Sequence, residues 1–147
     1  HGARRRMEFK GEYNGALVYD DYAHHPDELA ATVAAVRTMP QCQRLIFAFQ
    51  PHTYTRTKAL FDDFVRELKK PDVVVLAEIY AARERNTVGI SSKDLLAQVP
   101  GSVYCETLPQ VTAYLKEIAR PDDAADALAV ALTHANSMHA KHLFKIQ

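Results

Sequence analysis

Short apolar runs alternate with helical patterns along most of this chain, and that alternation constrains the fold more than any other feature. The runs are Ala16–Tyr19, Arg44–Phe49, Val73–Ala77 and Val103–Cys105. Each has the length of one strand, and each is followed by apolar residues at helical spacing. Alternation at such short intervals implies parallel strands joined by right-handed crossovers. We therefore predict an α/β fold with a mostly parallel sheet flanked by helices.

Local signals show where several of these elements begin. Asn14-Gly15 predicts a tight turn, so the flanking segments Arg5–Tyr13 and Ala16–Asp20 are expected to pair as a hairpin. Three positions carry helix-start signals, either a proline in the first turn or a capping box. They are Pro26, Ser91 and Thr107.

Composition narrows the classes of function. A chain of 147 residues is most simply one domain with a real core. Its 18 basic and 18 acidic residues balance to zero net charge, which argues against a nucleic-acid partner. Neither a membrane span nor a secretory signal is recognisable, so no membrane partner is expected. Cys42 and Cys105 are too few and too far apart for a disulfide framework or zinc site, and they fit reduced thiols in a cytoplasmic protein.

The first polar segment, Asp20–Pro26, directly follows the first core strand. Asp20 and Asp21 could hold a ribose hydroxyl or a magnesium ion, because both ligands need oxygen acceptors. The equally weighted alternative is that they are ordinary solvent-facing turn residues. His24 and His25 make a poor zinc site, since adjacent side chains point in different directions and zinc needs further ligands at set spacings.

The second polar segment, Phe49–Thr57, follows the next strand along the chain. Arg56 offers a fixed fork of donors that suits a carboxylate or a phosphate. His52 is a donor or base whose charge can change near neutral pH, and Thr53 adds a hydroxyl. Because α/β sheets bind ligands at the carboxyl ends of their strands, we expect the two segments to follow adjacent strands and to share one cleft.

A third polar loop, Tyr80–Gly89, follows the third strand. A solvated charged loop is the default interpretation of Arg83, Glu84 and Arg85, but their place makes them candidates to close the same cleft. The five glycines of the chain form neither phosphate-binding fingerprint, so the domain is expected to supply part of a nucleotide site rather than all of it.

Taken together, these segments resemble the C-terminal domain of the Mur ligases. The first segment alone would suit several members of that family. The segment that contains His52 and Arg56 favours the members that add L-alanine. Four stretches carry the resemblance: Asp20–Pro26, Phe49–Thr57, Leu60–Phe64 and Ile79–Glu84.

The resemblance implies a Rossmann-like domain of a cytoplasmic, ATP-dependent ligase that joins L-alanine to UDP-N-acetylmuramate in peptidoglycan synthesis. In such enzymes the carboxylate of the sugar is activated as an acyl phosphate, which the amino group then attacks. Two further domains are implied, one for the UDP-sugar and a central one with a phosphate-binding loop. ATP and Mg²⁺ would thus be bound mainly outside this chain, which is expected to be inactive alone.

The resemblance also implies roles for individual residues. Asp21 would contact the ribose of ATP, and Tyr22 would line the nucleotide side of the cleft. Arg56 would pair with the carboxylate of the amino acid and so hold its amine for attack. Many relatives carry Arg where this chain has Thr53, so one guanidinium of that clamp is missing. The amino-acid site would comprise His24, His52, Thr53 and Arg56.

The end of the sequence departs from the family pattern. The resemblance runs from about Arg4 to about Pro121, which gives a domain core over 1–121 and an atypical tail over 122–147. Family members end with an apolar strand, a Gly-Ala-Gly-Asp turn and a last helix, and that turn is absent here. The alanine-rich tail has helical propensity. If the tail is foreign to the domain, we expect the last strand to be missing or rearranged. A frameshift or non-native terminus is our hypothesis, which resequencing the source gene would test.

Two other functions stay open at this point. The chain could belong to another Mur-type ligase, one that adds a later amino acid or a peptide, and competition among amino acids would discriminate. It could instead be a free-standing α/β module that binds nucleotide or metal through His24, His25 and His52. Tight binding of zinc or nucleotide by the isolated chain would favour that module.

Overall fold

The computed structural model describes residues 7–40, 42, 44–119 and, as backbone, 128–133. The strands in this part of the chain are β1 Glu8–Tyr13, β2 Ala16–Asp21, β3 Arg44–Phe49, β4 Val73–Ala77, β5 Val103–Cys105 and β6 Leu128–Thr133. The helices are α1 Pro26–Arg37, α2 Tyr54–Ala59, α3 Phe61–Leu68, α4 Ser92–Gln98 and α5 Leu108–Ile118. None of these helices is both long and apolar enough to cross a membrane.

The strands form one sheet in the order β1-β2-β6-β3-β4-β5. β1 is antiparallel to β2, and every other neighbouring pair is parallel. The predicted α/β fold with a mostly parallel sheet is therefore confirmed. The predicted hairpin is confirmed too: Asn14 and Gly15, between β1 and β2, have φ values of 52° and 86°. Two successive positive φ values are what a two-residue turn between twisted strands requires.

Helices cover both faces of the sheet. α1, α3 and α4 pack on one face and α5 packs on the other, so the central strands are buried on both sides and read as continuous apolar runs. Phe47, Phe49 and Phe64 are the largest side chains that are almost wholly buried. Burying each contributes about 1.5–3 kcal/mol relative to leaving it exposed.

Side-chain caps explain where three of the helices begin. His25 caps α1 in a capping box with Glu28, and Pro26 occupies the first turn. Ser91 and Thr107 cap α4 and α5 in the same reciprocal way. All three predicted helix starts are thus confirmed, because a cap satisfies amide groups that have no partner inside the helix.

The helical expectation for the tail is wrong over β6, which is a strand in the middle of the sheet. Val130 pairs with Val18 of β2 on one side and with Ile46 of β3 on the other. Helix propensity is a weak prior, and pairing along both edges of a strand overrides it. A strand is therefore present in the segment that a foreign tail was expected to leave without one. The remainder of the predicted atypical tail lies outside the described residues.

Candidate functional site

The polar segments meet at the carboxyl edge of the sheet, although the strands before them are not adjacent. The expectation of adjacent strands is wrong, because β6 lies between β2 and β3. Two strand spacings, about 10 Å, therefore separate these strands. The loops close that gap above β6: the ring centroids of His24 and His52 are 5.8 Å apart.

Four aromatic rings form a continuous row across this edge. Tyr22 and His24 have ring centroids 5.1 Å apart, and His52 and Tyr80 have centroids 5.4 Å apart. With the contact between the two histidines, the row links the loops that follow β2, β3 and β4. Tyr80 is 44% exposed and was not among the predicted site residues. Its signal in the sequence was its position, directly beyond a third buried strand.

Asp21 is buried at the carboxyl end of β2 rather than exposed to solvent. Asp20 and Asp21 are 0% and 2% exposed, so the alternative that they are solvent-facing turn residues is wrong. Oδ1 of Asp21 accepts a 2.8 Å hydrogen bond from the Ala23 amide. Oδ2 accepts bonds from the Thr32 hydroxyl at 2.7 Å and the Met7 amide at 3.3 Å. The carboxylate thereby anchors the turn that presents Tyr22.

The ring of His24 is oriented by its own turn. Nδ1 lies 2.9 Å from the carbonyl oxygen of Tyr22, which can only accept, so we assign the proton of the neutral ring to Nδ1. Nε2 is then a hydrogen-bond acceptor. The ring of His25 instead caps α1, because its Nδ1 accepts a hydrogen bond from the Asp27 amide. The two adjacent histidine rings therefore have different hydrogen-bond partners.

His52 and Arg56 form a neutral base beside a permanent cation. Nη1 of Arg56 lies 3.4 Å from Nδ1 of His52. Because a guanidinium only donates, Nδ1 is the acceptor and the proton of the neutral ring belongs on Nε2. Burial lowers the pKa of His52, the positive charge of Arg56 lowers it further, and the negative charge of Glu84 opposes them. The imidazole consequently stays neutral to lower pH than an exposed histidine.

Thr53 caps α2 from a strained conformation. Its φ and ψ angles are 72° and 145°, a region that a β-branched residue rarely adopts. The hydroxyl accepts from the Arg56 amide at a long 3.4 Å, while the carbonyl accepts from the Thr57 hydroxyl at 2.7 Å. The predicted site hydroxyl is thus engaged in starting the helix that carries Arg56.

The third loop reaches the same helix through Glu84. Oε1 of Glu84 accepts from the amides of Tyr54 and Thr55 at 2.8 and 3.1 Å, and Oε2 accepts from the Thr55 hydroxyl. These bonds, led by that of the Thr55 hydroxyl, lower the pKa of Glu84. Glu84 is therefore fixed to α2 by hydrogen bonds, whereas Arg83 and Arg85 are exposed, in agreement with the default interpretation of a solvated loop.

The carboxyl edge of the sheet carries hydrogen-bond donors and acceptors, but its described residues form no cluster of metal ligands. Within the described part of the chain, no group of three or more His, Cys, Asp or Glu side chains converges as metal ligands do. What the geometry provides is a guanidinium, two histidine rings and a flanking tyrosine on each side. That set can bind a small zwitterion through its carboxylate and present an acceptor to its amine.

Comparison with known proteins identifies the family to which this domain belongs. A family model described as the glutamate ligase domain of Mur ligases matches residues 5–137. The chain belongs to this family. The match continues through β6 and so extends beyond the point, near Pro121, at which the resemblance in the sequence was expected to end.

Two curated relatives of this Mur ligase domain are named UDP-N-acetylmuramate–L-alanine ligase. The protein from Agathobacter rectalis is 59% identical over 95 residues, which cover 65% of this chain and 20% of that protein. The protein from Lachnospira eligens is 48% identical over 118 residues, covering 78% of this chain and 26% of that protein. The Mur ligase domain therefore spans about a quarter of the length of the curated relatives it matches.

A solved structure shows the same fold. UDP-N-acetylmuramate-alanine ligase MurC from Thermotoga maritima superposes with a TM-score of 0.67 at 19% sequence identity. The superposition covers 96% of this Mur ligase domain and 29% of the Thermotoga chain.

Proposed function

We propose that this domain supplies the amino-acid-binding face of a cytoplasmic, ATP-dependent ligase that joins L-alanine to UDP-N-acetylmuramate in peptidoglycan synthesis. The observation that carries the proposal is the placement of Arg56 against a neutral His52, beside His24, at the carboxyl edge of the sheet. The names of the relatives supply the substrate class.

Arg56 binds the carboxylate of the amino acid in this proposal. One of its nitrogens lies against His52, and its other nitrogens have no partner among the described residues. A guanidinium with donors to spare can hold a carboxylate through two parallel bonds. Nε2 of His52 adds a neutral donor, and Thr53 shapes the site by capping the helix that carries Arg56.

His24 serves the amine side of the same amino acid. Its Nδ1 proton is directed to the carbonyl of Tyr22, which leaves Nε2 as an acceptor for an ammonium or amine hydrogen. Holding the carboxylate at Arg56 and the amine near His24 restricts the nucleophile to one orientation. Such restriction favours attack of the amine on the carboxyl carbon of the activated sugar.

Asp21 and Tyr22 form the nucleotide side of the proposed cleft. Asp21 already accepts three hydrogen bonds, and a ribose hydroxyl would use a lone pair that remains on its oxygens. ATP supplies the phosphoryl group that activates the sugar carboxylate. No glycine-rich phosphate loop is present in the sequence, so we assign the triphosphate and Mg²⁺ mainly to the central domain of the full-length enzyme.

A domain graft tests this proposal. The chain replaces the C-terminal domain of a full-length alanine-adding ligase, and phosphate release is measured as a function of L-alanine. We expect activity in the graft and a large loss in Arg56→Ala, with partial retention in Arg56→Lys, which keeps the charge without the fork. Arg66→Ala is the matched control, because it removes a guanidinium from the exposed surface of α3.

Other results would redirect the assignment. A graft that prefers a different amino acid or a peptide in competition would point to another Mur-type ligase. Phosphate release from ATP by the isolated chain with both substrates would contradict our expectation that the domain is inactive alone. Tight zinc or nucleotide binding by the isolated chain would favour a free-standing binding module instead.

A further inference from the structure

The amino-terminal end of α2 is held by a carboxylate that belongs to a different loop. Glu84, beyond β4, accepts hydrogen bonds from the first two amides of the helix, those of Tyr54 and Thr55. The Thr55 hydroxyl donates to its second oxygen. Both carboxylate oxygens are thus used on one end of one helix, which is more than a chance surface contact between loops provides.

The cap that the local sequence gives to that end of the helix is weak. α2 has six residues and no acidic residue in its first turn, and a helix this short is marginal in isolation. Its own cap, the hydroxyl of Thr53, lies 3.4 Å from the amide it accepts from. The first amides of a helix have no partner inside it. The carboxylate of Glu84 supplies the acceptor and the negative charge that no residue in the first turn of α2 provides.

The roots of the two loops are already joined through the backbone. The Tyr80 amide donates to the Pro51 carbonyl, and the Thr53 amide donates to the Tyr80 carbonyl, both at 2.8 Å. These two bonds fix the point where the loops leave β3 and β4. Beyond that point, the side chain of Glu84 adds three hydrogen bonds to the first turn of α2.

We infer that Glu84 is a positioning residue, which sets the orientation of α2 and therefore of Arg56 in the carboxylate clamp. Its effect on substrate rests on the proposed function, whereas its effect on the helix does not. Removing Glu84 leaves the donors of Arg56 intact but lets them sample more orientations. The expected consequence is weaker binding of the amino acid with little change in the rate at saturation.

The isolated chain tests the structural part directly. Glu84→Ala removes all three bonds, whereas the amide oxygen of Glu84→Gln can still accept from the two backbone amides. We expect hydrogen exchange at Tyr54 and Thr55 to quicken by about tenfold in Glu84→Ala and by less in Glu84→Gln. Glu12→Gln is the control, since it removes the same charge from an exposed position on the edge strand β1.

The pKa of His52 provides a second measurement. It responds to the charge of Glu84, whereas hydrogen exchange responds to the hydrogen bonds that Glu84 accepts. The charged or titratable groups acting on it are Arg56 from α2, His24 from the first loop and Glu84 from the third. Both Glu84 variants remove the one carboxylate of this set, so NMR titration should show a similar fall in the His52 pKa in both. In Glu12→Gln the His52 pKa should stay unchanged.

The grafted ligase measures the effect on substrate. We expect KM for L-alanine to rise by about tenfold in Glu84→Ala and by less in Glu84→Gln, with kcat within about twofold in both. Normal exchange at Tyr54 and Thr55 in Glu84→Ala would overturn the inference even if the graft is active. An inactive graft of the unaltered domain, with faster exchange in Glu84→Ala, would instead count against the proposed function alone.

Discussion

The hydroxyl of Tyr104 on β5 donates a 2.8 Å hydrogen bond to Oε1 of Glu78, just beyond the end of β4. The same carboxylate accepts from the hydroxyl of Ser91 and from the amides of Ile79 and Ser92. One side chain therefore connects two neighbouring strands with the start of α4. Burial, together with the hydrogen bond to Glu78, raises the pKa of Tyr104 to about 12.

Tyr104→Phe removes the donor of this bond while keeping the ring. We expect the free energy of unfolding at pH 7 to fall by about 1.5–3 kcal/mol, since the hydrogen bond is made to a charged group. Urea denaturation would measure the change. Tyr114→Phe is the control, because the structure shows no partner for its hydroxyl among the described residues. Equal losses in the two variants would contradict the assigned bond.

Glu78 should make stability depend on pH in the acid range. Burial by itself would raise the pKa of Glu78, but hydrogen bonds, first that of Ser91, outweigh it and lower the pKa below the ordinary value of 4.5. A depressed pKa stabilises the fold above that ordinary value, and the contribution is lost as the pH falls through the folded-state pKa. In Glu78→Gln the thermal midpoint should be lower at pH 7 and should fall less between pH 5 and 3. An unchanged acid slope, equal to that of Glu12→Gln, would be the contrary result.

Asp21→Asn tests whether the buried carboxylate anchors its turn. The amide nitrogen that replaces one oxygen can only donate, and at either position it would face a backbone amide that also donates, that of Ala23 or that of Met7. We expect a loss of about 1–3 kcal/mol in the free energy of unfolding. Asp62→Asn makes the same change at an exposed position on α3 and should have almost no effect. Comparable stability of the two variants in urea would rule out this anchoring role.

Thr53→Gly should stabilise the domain, which is unusual for a change to glycine. Relief of strain at a φ of 72° is worth about 1–3 kcal/mol, while the added freedom of the unfolded chain costs about 0.5–1 kcal/mol. A net gain of about 1 kcal/mol in urea denaturation is therefore expected. Lys58→Gly, at an exposed helical position in α2, should lose about 1 kcal/mol instead. Losses in both variants would show that the strain at Thr53 is small.

Most of the fold could be predicted because the local sequence signals favour the same helices and strands that the packing of the domain requires. The apolar run Arg44–Phe49 and the helix starts at Ser91 and Thr107 each depend on neighbours a few residues away. β6 could not be predicted in this way. Leu128–Thr133 is a strand because β2 and β3, which lie far away in sequence, pair with it. The local preference of alanine is for a helix.

The site was partly predictable for the same reason. His24 and His52 could be expected to meet because each follows a buried strand, and the rule for α/β sheets places such residues at one edge. The role of Glu84 could not be read from the sequence, since it depends on a loop 29 residues from Thr55 folding back over α2. α2 itself was not predicted as a separate helix, because six residues are too few to show a periodic apolar face.

The central place of β6 has a consequence for how the domain is made. During synthesis β2 and β3 emerge from the ribosome long before the strand that separates them, at about 5–20 residues per second. Until Leu128–Thr133 is synthesised, the central strand of the sheet is absent, and the backbone groups of β2 and β3 that it pairs with are open to other strands. A nascent chain that stalls before this segment should therefore engage chaperones, and the alignment of His24 with His52 should be among the last features of the domain to mature.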